Sequence, residues 1–128
     1  MGNHSELAVA FFTATGAGDQ AAIESLCSED LAASQNGGPP MDRAALARFA
    51  AAVKRAVPDF RYENAVRADT ATGFVEEHDV CGTLPDGGLL HMTVCVVADV
   101  ADGKITSLRE YADSAAAAGL IKALGGGR

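Results

Sequence analysis

The pattern of apolar and polar residues is clearest between residues 73 and 113. Three runs rich in valine, threonine and other strand-forming residues are separated there by the short turns PDGG and ADGK. Runs of this kind, joined by glycine-bearing turns, are typical of consecutive antiparallel strands. The pattern therefore predicts a three-stranded meander. Two acids, Asp79 and Glu110, stand on its first and third strands among mostly apolar residues, which makes them the first candidates for chemistry.

The first half of the chain has apolar residues at helical spacing instead. Ser5 suits the N-cap of a helix that runs to Ala17, with its apolar residues on one face. Asp19 and Asp42 are predicted to cap two further helices, a short one ending near residue 27 and a longer one ending near residue 56. The paired glycines and prolines of residues 35–40 predict a loop between those helices, with a brief strand before it.

Two more elements complete the predicted order. Residues 60–69 are predicted to form a strand before the meander, and the alanine-rich residues after Asp113 form a last helix, followed by a flexible tail at 124–128. Helices followed by consecutive antiparallel strands indicate an α+β fold, with the helices laid across one face of a curved sheet. Such a sheet makes a cone with an apolar mouth, where a small-molecule pocket is expected. We predict a single domain over residues 1–128.

The charge and hydrophobicity of the chain disfavour two classes of binding partner, nucleic acids and membranes. Seventeen acids against ten Lys and Arg give the 128-residue chain a net charge of −7, with 48% hydrophobic residues. An acidic chain lacks the basic face with which most nucleic-acid-binding proteins neutralise phosphates, and anionic membrane surfaces repel it. No apolar run approaches the ~20 residues of a membrane helix, and the N-terminus lacks the basic and hydrophobic regions of a signal peptide. We therefore expect no nucleic-acid partner and no membrane partner.

The cysteines indicate the compartment. Cys27, Cys81 and Cys95 are an odd number without CxxC spacing, which disfavours a disulfide framework or a structural zinc site. We expect buried free thiols in a cytoplasmic protein. No phosphate-binding loop, nucleophile elbow or metal-ligand cluster is present, so the sequence predicts neither a metal nor another cofactor.

The order of elements and three short motifs resemble the SnoaL-like branch of the nuclear-transport-factor-2-like superfamily. The motifs are GAGD after the first helix, DGKI at the second meander turn, and REYAD in the strand that follows. The resemblance implies a cystatin-like α+β fold with a cone-shaped, mixed or antiparallel sheet. That fold hosts isomerases, polyketide cyclases, epoxide hydrolases, dehydratases and non-catalytic modules. Its members commonly pair through the outer face of the sheet, which implies a homodimer.

Two enzyme types of this superfamily imply different functional residues. The three groups that ketosteroid isomerases use would fall on Phe11, Gln35 and Cys95, or on Asn36 in place of Gln35 with a one-residue shift. Phenylalanine cannot donate a hydrogen bond to an enolate, and glutamine cannot take a proton from carbon at neutral pH. The resemblance therefore does not imply a standard ketosteroid isomerase.

The limonene-epoxide-hydrolase type is more similar. Aligned with it, Asp79 takes the place of the proton donor and Glu110 that of the water-activating carboxylate. Asn36 matches an asparagine that holds the water, whereas the accompanying tyrosine is replaced by Ser34 and the arginine between the carboxylates by Glu77. Hence the resemblance implies a pair of acids, one protonated and one ionised, acting as general acid and general base.

The same alignment implies which side chains line the cone. Alternate residues of a strand share a face, so Cys81 and Glu77 accompany Asp79 into the interior, and His78 is left at the surface. His91 would replace the missing arginine as the positive partner or act as the base itself. The remaining lining residues that the alignment implies lie on the other meander strands and are Thr93, Cys95 and Leu108. Phe11 and Phe49, on two helices, are expected to form pocket wall and core.

Alternatives with no chemistry remain open for several of these residues. Glu77 can point to solvent at a bulge, His91 can be a surface residue beside a hairpin turn, and Glu110 can form a cross-strand salt bridge. Asn36 can cap its glycine loop through an Asx-turn. The sequence predicts a cofactor-independent acid–base enzyme acting on a hydrophobic small molecule by cyclisation, isomerisation or epoxide opening. The alternative is a binding or dimerisation module of the same fold without turnover.

Overall fold

Helices and strands follow the predicted order closely. The computed structural model describes residues 4–125. Its helices are α1 (Ser5–Ala17), α2 (Gln20–Leu26), α3 (Arg43–Ala56) and α4 (Ser114–Ala123). Its strands are β1 (Cys27–Gln35), β2 (Arg61–Asp69), β3 (Gly73–Thr83), β4 (Leu89–Ala101) and β5 (Lys104–Ala112). The predicted α+β order and meander are confirmed. Of the predicted tail, residues 126–128 lie outside the described residues.

Short polar side chains set the starts of the helices. Asp19 accepts a hydrogen bond from the Ala22 backbone N–H at 3.2 Å, and Asp42 accepts one from Ala45 at 2.8 Å. Both predicted caps are therefore present. Ser5, by contrast, is the first residue of α1 rather than its N-cap, which is His4.

The five strands form one mixed sheet in the order β1-β5-β4-β3-β2. β1 runs parallel to β5, and the other neighbours are antiparallel. β1 has nine residues rather than the brief strand predicted, because it pairs in parallel with β5 at Cys27 and again, after a register shift, from Ala32 to Gln35. We call the face that packs against the helices the inner face and the opposite one the outer face.

Even-numbered residues of β3 and β4 occupy the inner face. Phe74, Val80 and Val94 are at most 3% exposed there, together with the polar Glu76 and His78. The hairpin register pairs even with even residues, such as Val80 with Met92 and His78 with Val94. The apolar even-numbered side of β4 must be buried, so the register carries the even-numbered side of β3 inward with it.

The predicted orientation of two meander strands is consequently wrong. The residues expected in the cone that instead occupy the outer face are Glu77, Asp79, Cys81, His91, Thr93 and Cys95. His78, expected at the surface, is 2% exposed. The expected orientation of Leu108 and Glu110 is correct, because these residues pair with the buried Ala98 and Val96 of β4.

A β-bulge in β2 changes which of its residues face inward. The register with β3 shifts between Glu63 and Val66, and Asn64 takes a positive φ of 58°. The extra residue places Tyr62 and Arg67 on the same face even though they are an odd number of positions apart. Tyr62 therefore points toward the helices, and so does Arg67.

Candidate active site

A cavity of about 180 Å³ lies between the inner face of the sheet and helices α1, α3 and α4. Its wall is largely apolar. The apolar lining includes Phe11, Phe12, Met41, Leu46, Phe49, Val53, Phe60, Val80, Met92, Val96, Leu108 and Leu120. Among the described residues, seven of those that line the cavity carry polar side chains, and these are Thr15, Ser34, Gln35, Asn36, Tyr62, Glu110 and Ser114. A few polar groups in an apolar concavity are the usual composition of a small-molecule site.

Glu110 is the only acid among the described residues that line this cavity. It lies on β5 between β1 and β4, paired with Gln35 and Val96. Its carboxyl group forms no hydrogen bond or ion pair with any residue between 4 and 125. The expected alternative, a cross-strand salt bridge, is absent there, because the neighbouring Arg109 points outward to Asp99 at 3.1 Å. Burial raises the pKa of Glu110, since desolvation disfavours the ionised form.

Asn36 is fixed beside Glu110 by two hydrogen bonds to β5. Its backbone N–H donates to the Glu110 carbonyl at 2.8 Å, and its side-chain Oδ1 accepts from the Ala112 N–H at 3.0 Å. The left-handed backbone, with φ of 51°, allows both bonds at the end of β1. The carboxamide thus bridges two strands rather than capping its own loop. Asn36 is one of the residues that line the cavity, and its NH₂ group has no hydrogen-bond partner among residues 4–125.

Thr15 and Tyr62, whose hydroxyl groups are paired, also line the cavity. The Tyr62 hydroxyl lies 2.8 Å from Thr15 Oγ1, and Thr15 also donates to the Phe12 carbonyl at 3.3 Å. Burial raises the pKa of Tyr62 well above its ordinary value, and the negative charges of Glu110 and Glu76 raise it further. The bond to Thr15 opposes this shift only in part. Tyr62 is therefore a neutral phenol, able to donate one hydrogen bond.

A buried charged array lies behind the wall that Tyr62 and Phe12 form. Arg67 Nη2 is 2.6 Å from one carboxylate oxygen of Glu76, and His78 Nδ1 is 2.6 Å from the other. The His78 ring packs against Tyr62 at a centroid distance of 4.4 Å and against Phe12 at 5.0 Å. Sequence reasoning missed this array, because its three members are scattered over two strands and a bulge separates Arg67 from regular alternation.

Asp79 has a different environment from the one predicted. On the outer face it accepts hydrogen bonds from Asn64 and Thr93, both at 2.9 Å, and His91 lies 3.9 Å away. These bonds, chiefly that from Asn64, lower the pKa of Asp79, and the nearby His91 charge adds to the effect. Asp79 and Glu110 therefore lie on opposite faces of the sheet and cannot share a ligand.

The structure brings five of the predicted site residues together. Those lining the cavity are Phe11, Asn36, Phe49, Leu108 and Glu110. The six outer-face residues do not reach it. Sequence reasoning missed Tyr62 as a polar lining residue.

The cysteines are free, with Cys27 and Cys81 buried and Cys95 only partly so. Burial raises the pKa of Cys27 to about 11, so this thiol is not an activated nucleophile. Within residues 4–125, no three His, Cys, Asp or Glu side chains are grouped so as to hold a metal ion. In the same part of the chain, every helix is too short or too polar to cross a membrane.

Sequence comparison identifies a family. The sequence model of the SnoaL-like domain matches residues 8–108, which is most of the chain. None of the curated proteins matches this sequence. The match agrees with the resemblance carried by GAGD, DGKI and REYAD.

Structural comparison identifies the same fold. A candidate polyketide cyclase from Xanthomonas campestris pv. campestris is 25% identical, with a TM-score of 0.77 over 88% of this chain and 91% of that one. IdmH, a candidate polyketide cyclase from Streptomyces antibioticus, is 19% identical, with a TM-score of 0.75 over 97% and 99%. A protein of ketosteroid-isomerase-like fold from Catenulispora acidiphila is 14% identical, with a TM-score of 0.75 over 85% and 86%. The predicted nuclear-transport-factor-2-like fold is confirmed.

Proposed function

Since the chain belongs to the SnoaL-like family, we propose that it is a cofactor-independent enzyme that moves a proton on a hydrophobic small molecule. Glu110 takes the proton from the substrate and returns it. One observation carries the proposal: Glu110 lines an apolar cavity, and its carboxyl group has no hydrogen-bond or ion-pair partner among the described residues. Such a placement costs folding free energy, and a functional site is where this cost is commonly found.

The raised pKa of Glu110 suits this role. A carboxylate whose pKa is closer to neutrality is a stronger base, and its protonated form is still available to return the proton. One group can thus serve as base and then as acid in an isomerisation or an aldol-type cyclisation. Epoxide opening by two carboxyl groups is less well supported, because Asp79 lies on the outer face.

The surroundings of Glu110 add to the proposal. The apolar wall desolvates the carboxylate and accommodates a hydrophobic substrate. The free NH₂ group of Asn36, held beside Glu110 by β5, can donate a hydrogen bond to a polar atom of that substrate. A cavity of about 150 Å³ is known to hold benzene, so this cavity suits a compact ligand of one or two small rings.

Deuterium exchange tests the proposal directly. The probe is 2-indanone, a compact ketone whose C–H bonds at C1 and C3 are acidified by both the carbonyl group and the ring. We expect the protein to accelerate exchange at these positions in D₂O, measured by ¹H NMR, and Glu110→Gln to return the rate to that of buffer. Glu77→Gln, which removes an exposed carboxylate from the outer face, is the matched control and should keep the wild-type rate.

A second function is favoured by the isolation of Glu110. Because no other described acid lines the cavity, the site can bind a hydrophobic ligand without turning it over. In that case wild-type protein binds 2-indanone but exchange remains at the buffer rate. Equal acceleration by wild type and Glu110→Gln would contradict the role of this carboxyl.

A further inference from the structure

We propose that the hydroxyl groups of Tyr62 and Thr15 form an oxygen-binding subsite, in which Tyr62 donates a hydrogen bond to the ligand. Tyr62 comes from β2 and Thr15 from α1, so the sheet and the helix layer each contribute one hydroxyl. Both residues line the cavity, and their oxygen atoms are 2.8 Å apart. The inference rests on the proposed function only in taking this cavity to be the ligand site.

Thr15 and Tyr62 each have one hydroxyl hydrogen to donate, and this explains how the subsite works. In the ligand-free arrangement Thr15 donates to the Phe12 carbonyl at 3.3 Å, and Tyr62 donates to Thr15. When a ligand oxygen approaches Tyr62, both hydrogens turn: Thr15 donates to Tyr62, and Tyr62 donates to the ligand. Only the long hydrogen bond from Thr15 to the Phe12 carbonyl is lost. That carbonyl lies within α1, so it still accepts the regular helical hydrogen bond from the backbone N–H four residues later. The resulting chain of two hydrogen bonds strengthens the outer one.

The charges around Tyr62 keep it in the donor form. Burial and the negative charges of Glu110 and Glu76 all oppose its ionisation. Tyr62 and Glu110 line the same cavity, so a ligand whose oxygen is bound at Tyr62 shares that cavity with the Glu110 carboxyl.

The position of the Tyr62 ring is strongly constrained. Phe12 and Phe60 contact it edge-on at centroid distances of 5.6 Å and 5.2 Å, and His78 contacts it at 4.4 Å. His78 is itself held by the buried Glu76 carboxylate. On the helix side, Gly16 lies against the ring, where a Cβ would be in van der Waals contact with Tyr62 Cε2 at 3.4 Å. A hydroxyl fixed in this way is preorganised to donate without further ordering of the side chain.

The carbonyl stretch of bound 2-indanone, labelled with ¹³C at the carbonyl carbon, tests this inference. A hydrogen bond from Tyr62 shifts the infrared band of the bound ketone to lower frequency, and Tyr62→Phe should abolish that shift. The same variant should bind 2-indanone about five- to tenfold more weakly, the value of one neutral hydrogen bond, while indane, which lacks the oxygen, binds as before. Tyr111→Phe alters the other tyrosine of the chain, which is exposed, and is the matched control. An unchanged infrared shift in Tyr62→Phe overturns the inference.

A second measurement does not depend on the folding of Tyr62→Phe. Protein labelled with ¹³C at the tyrosine Cζ gives one resonance for each of its two tyrosines, and Tyr111→Phe assigns them. We expect 2-indanone to move the Tyr62 resonance and indane to leave it nearly unchanged. Equal movement with both ligands counts against a hydrogen bond to the ketone oxygen.

The two proposals fail in different ways. If Glu110→Gln retains the infrared shift but neither it nor wild type accelerates exchange, the subsite is supported and the acid–base function is not. If wild type accelerates exchange and Glu110→Gln does not, while Tyr62→Phe keeps the infrared shift, the acid–base function is supported and the subsite is overturned.

Discussion

The two faces of the sheet treat carboxyl groups in opposite ways. On the outer face, Asp79 receives two side-chain hydrogen bonds and lies near His91, and its pKa is lowered. On the inner face, Glu110 receives no side-chain hydrogen bond from the described residues, and its pKa is raised. Both acids lie on strands of the same meander, so residue type and local sequence do not decide which becomes reactive. Solvation and hydrogen bonding decide it, and these depend on the face.

Glu76 adds a third case to this comparison. It is on the inner face like Glu110 and only 1% exposed, yet Arg67 and His78 bind both of its oxygens. A buried carboxylate that is fully paired belongs to the structure. Glu110 is only partly buried and has no partner among the described residues, so its carboxyl remains available to a ligand.

The largest effect is expected from breaking the buried array. Glu76→Ala leaves Arg67 and His78 without their shared acceptor, and the loss of one partner from a buried ion pair typically costs about 3–5 kcal/mol. Its neighbour Glu77 is exposed on the opposite face, so Glu77→Ala should change the free energy of unfolding by less than about 0.5 kcal/mol. Urea denaturation measures both. Similar losses in the two variants would show that the array contributes little to stability.

At Glu110 we expect a smaller change in the free energy of unfolding, and here it is an increase. Glu110→Met replaces a partly buried carboxyl, unpaired among the described residues, by an apolar side chain of similar length, which removes a desolvation cost of at most about 1–2 kcal/mol. We expect a higher free energy of unfolding at pH 7 together with loss of proton exchange on 2-indanone. A loss of stability in this variant would indicate that the carboxyl has a structural role after all.

The smallest effect is a difference in pH dependence between the two faces. The raised pKa of Glu110 means that the native state holds its proton more tightly than the unfolded state, so its contribution becomes less favourable as pH rises through the raised value. The lowered pKa of Asp79 has the opposite sign: its contribution is present above the ordinary value and is lost as pH falls through the lowered one.

Unfolding curves between about pH 3 and pH 7 measure this difference, since that range spans the ordinary carboxyl pKa values. The stability of wild type relative to Glu110→Gln should fall with rising pH. The stability of wild type relative to Asp79→Asn should increase over the lower part of the range. The same slope for both pairs would contradict the assignment of opposite shifts.

The sequence predicted the elements and the fold because caps, turns and the meander are local signals. Asp19, Asp42 and the two glycine-bearing turns each act within a few residues of their own position. Such local signals do not determine which face of β3 is buried. Its even side carries Phe74, Glu76, His78 and Val80, and its odd side carries Val75, Glu77, Asp79 and Cys81, so each side has two polar residues.

The neighbouring strand contained the missing information. The even side of β4 carries Leu90, Met92, Val94, Val96 and Ala98, without a charged or hydroxyl-bearing residue. The hairpin pairs Val80 with Met92, so the buried side of β4 determines the buried side of β3. That reasoning would have placed Glu76 and His78 inside. It would not have found Arg67, because the bulge at Asn64 reverses the alternation of β2.

The parallel pairing of β1 with β5 has a consequence for the folding pathway. Asn36 and Ala112 are 76 positions apart in the chain, yet the hydrogen bond between them is part of the cavity wall next to Glu110. Closing so long a loop is entropically costly, and contacts of this kind slow folding. The cavity wall is therefore complete only when β1, near the start of the chain, has paired with β5, near its end. A ligand of the cavity would bind that final state selectively and, by mass action, hold the domain in it.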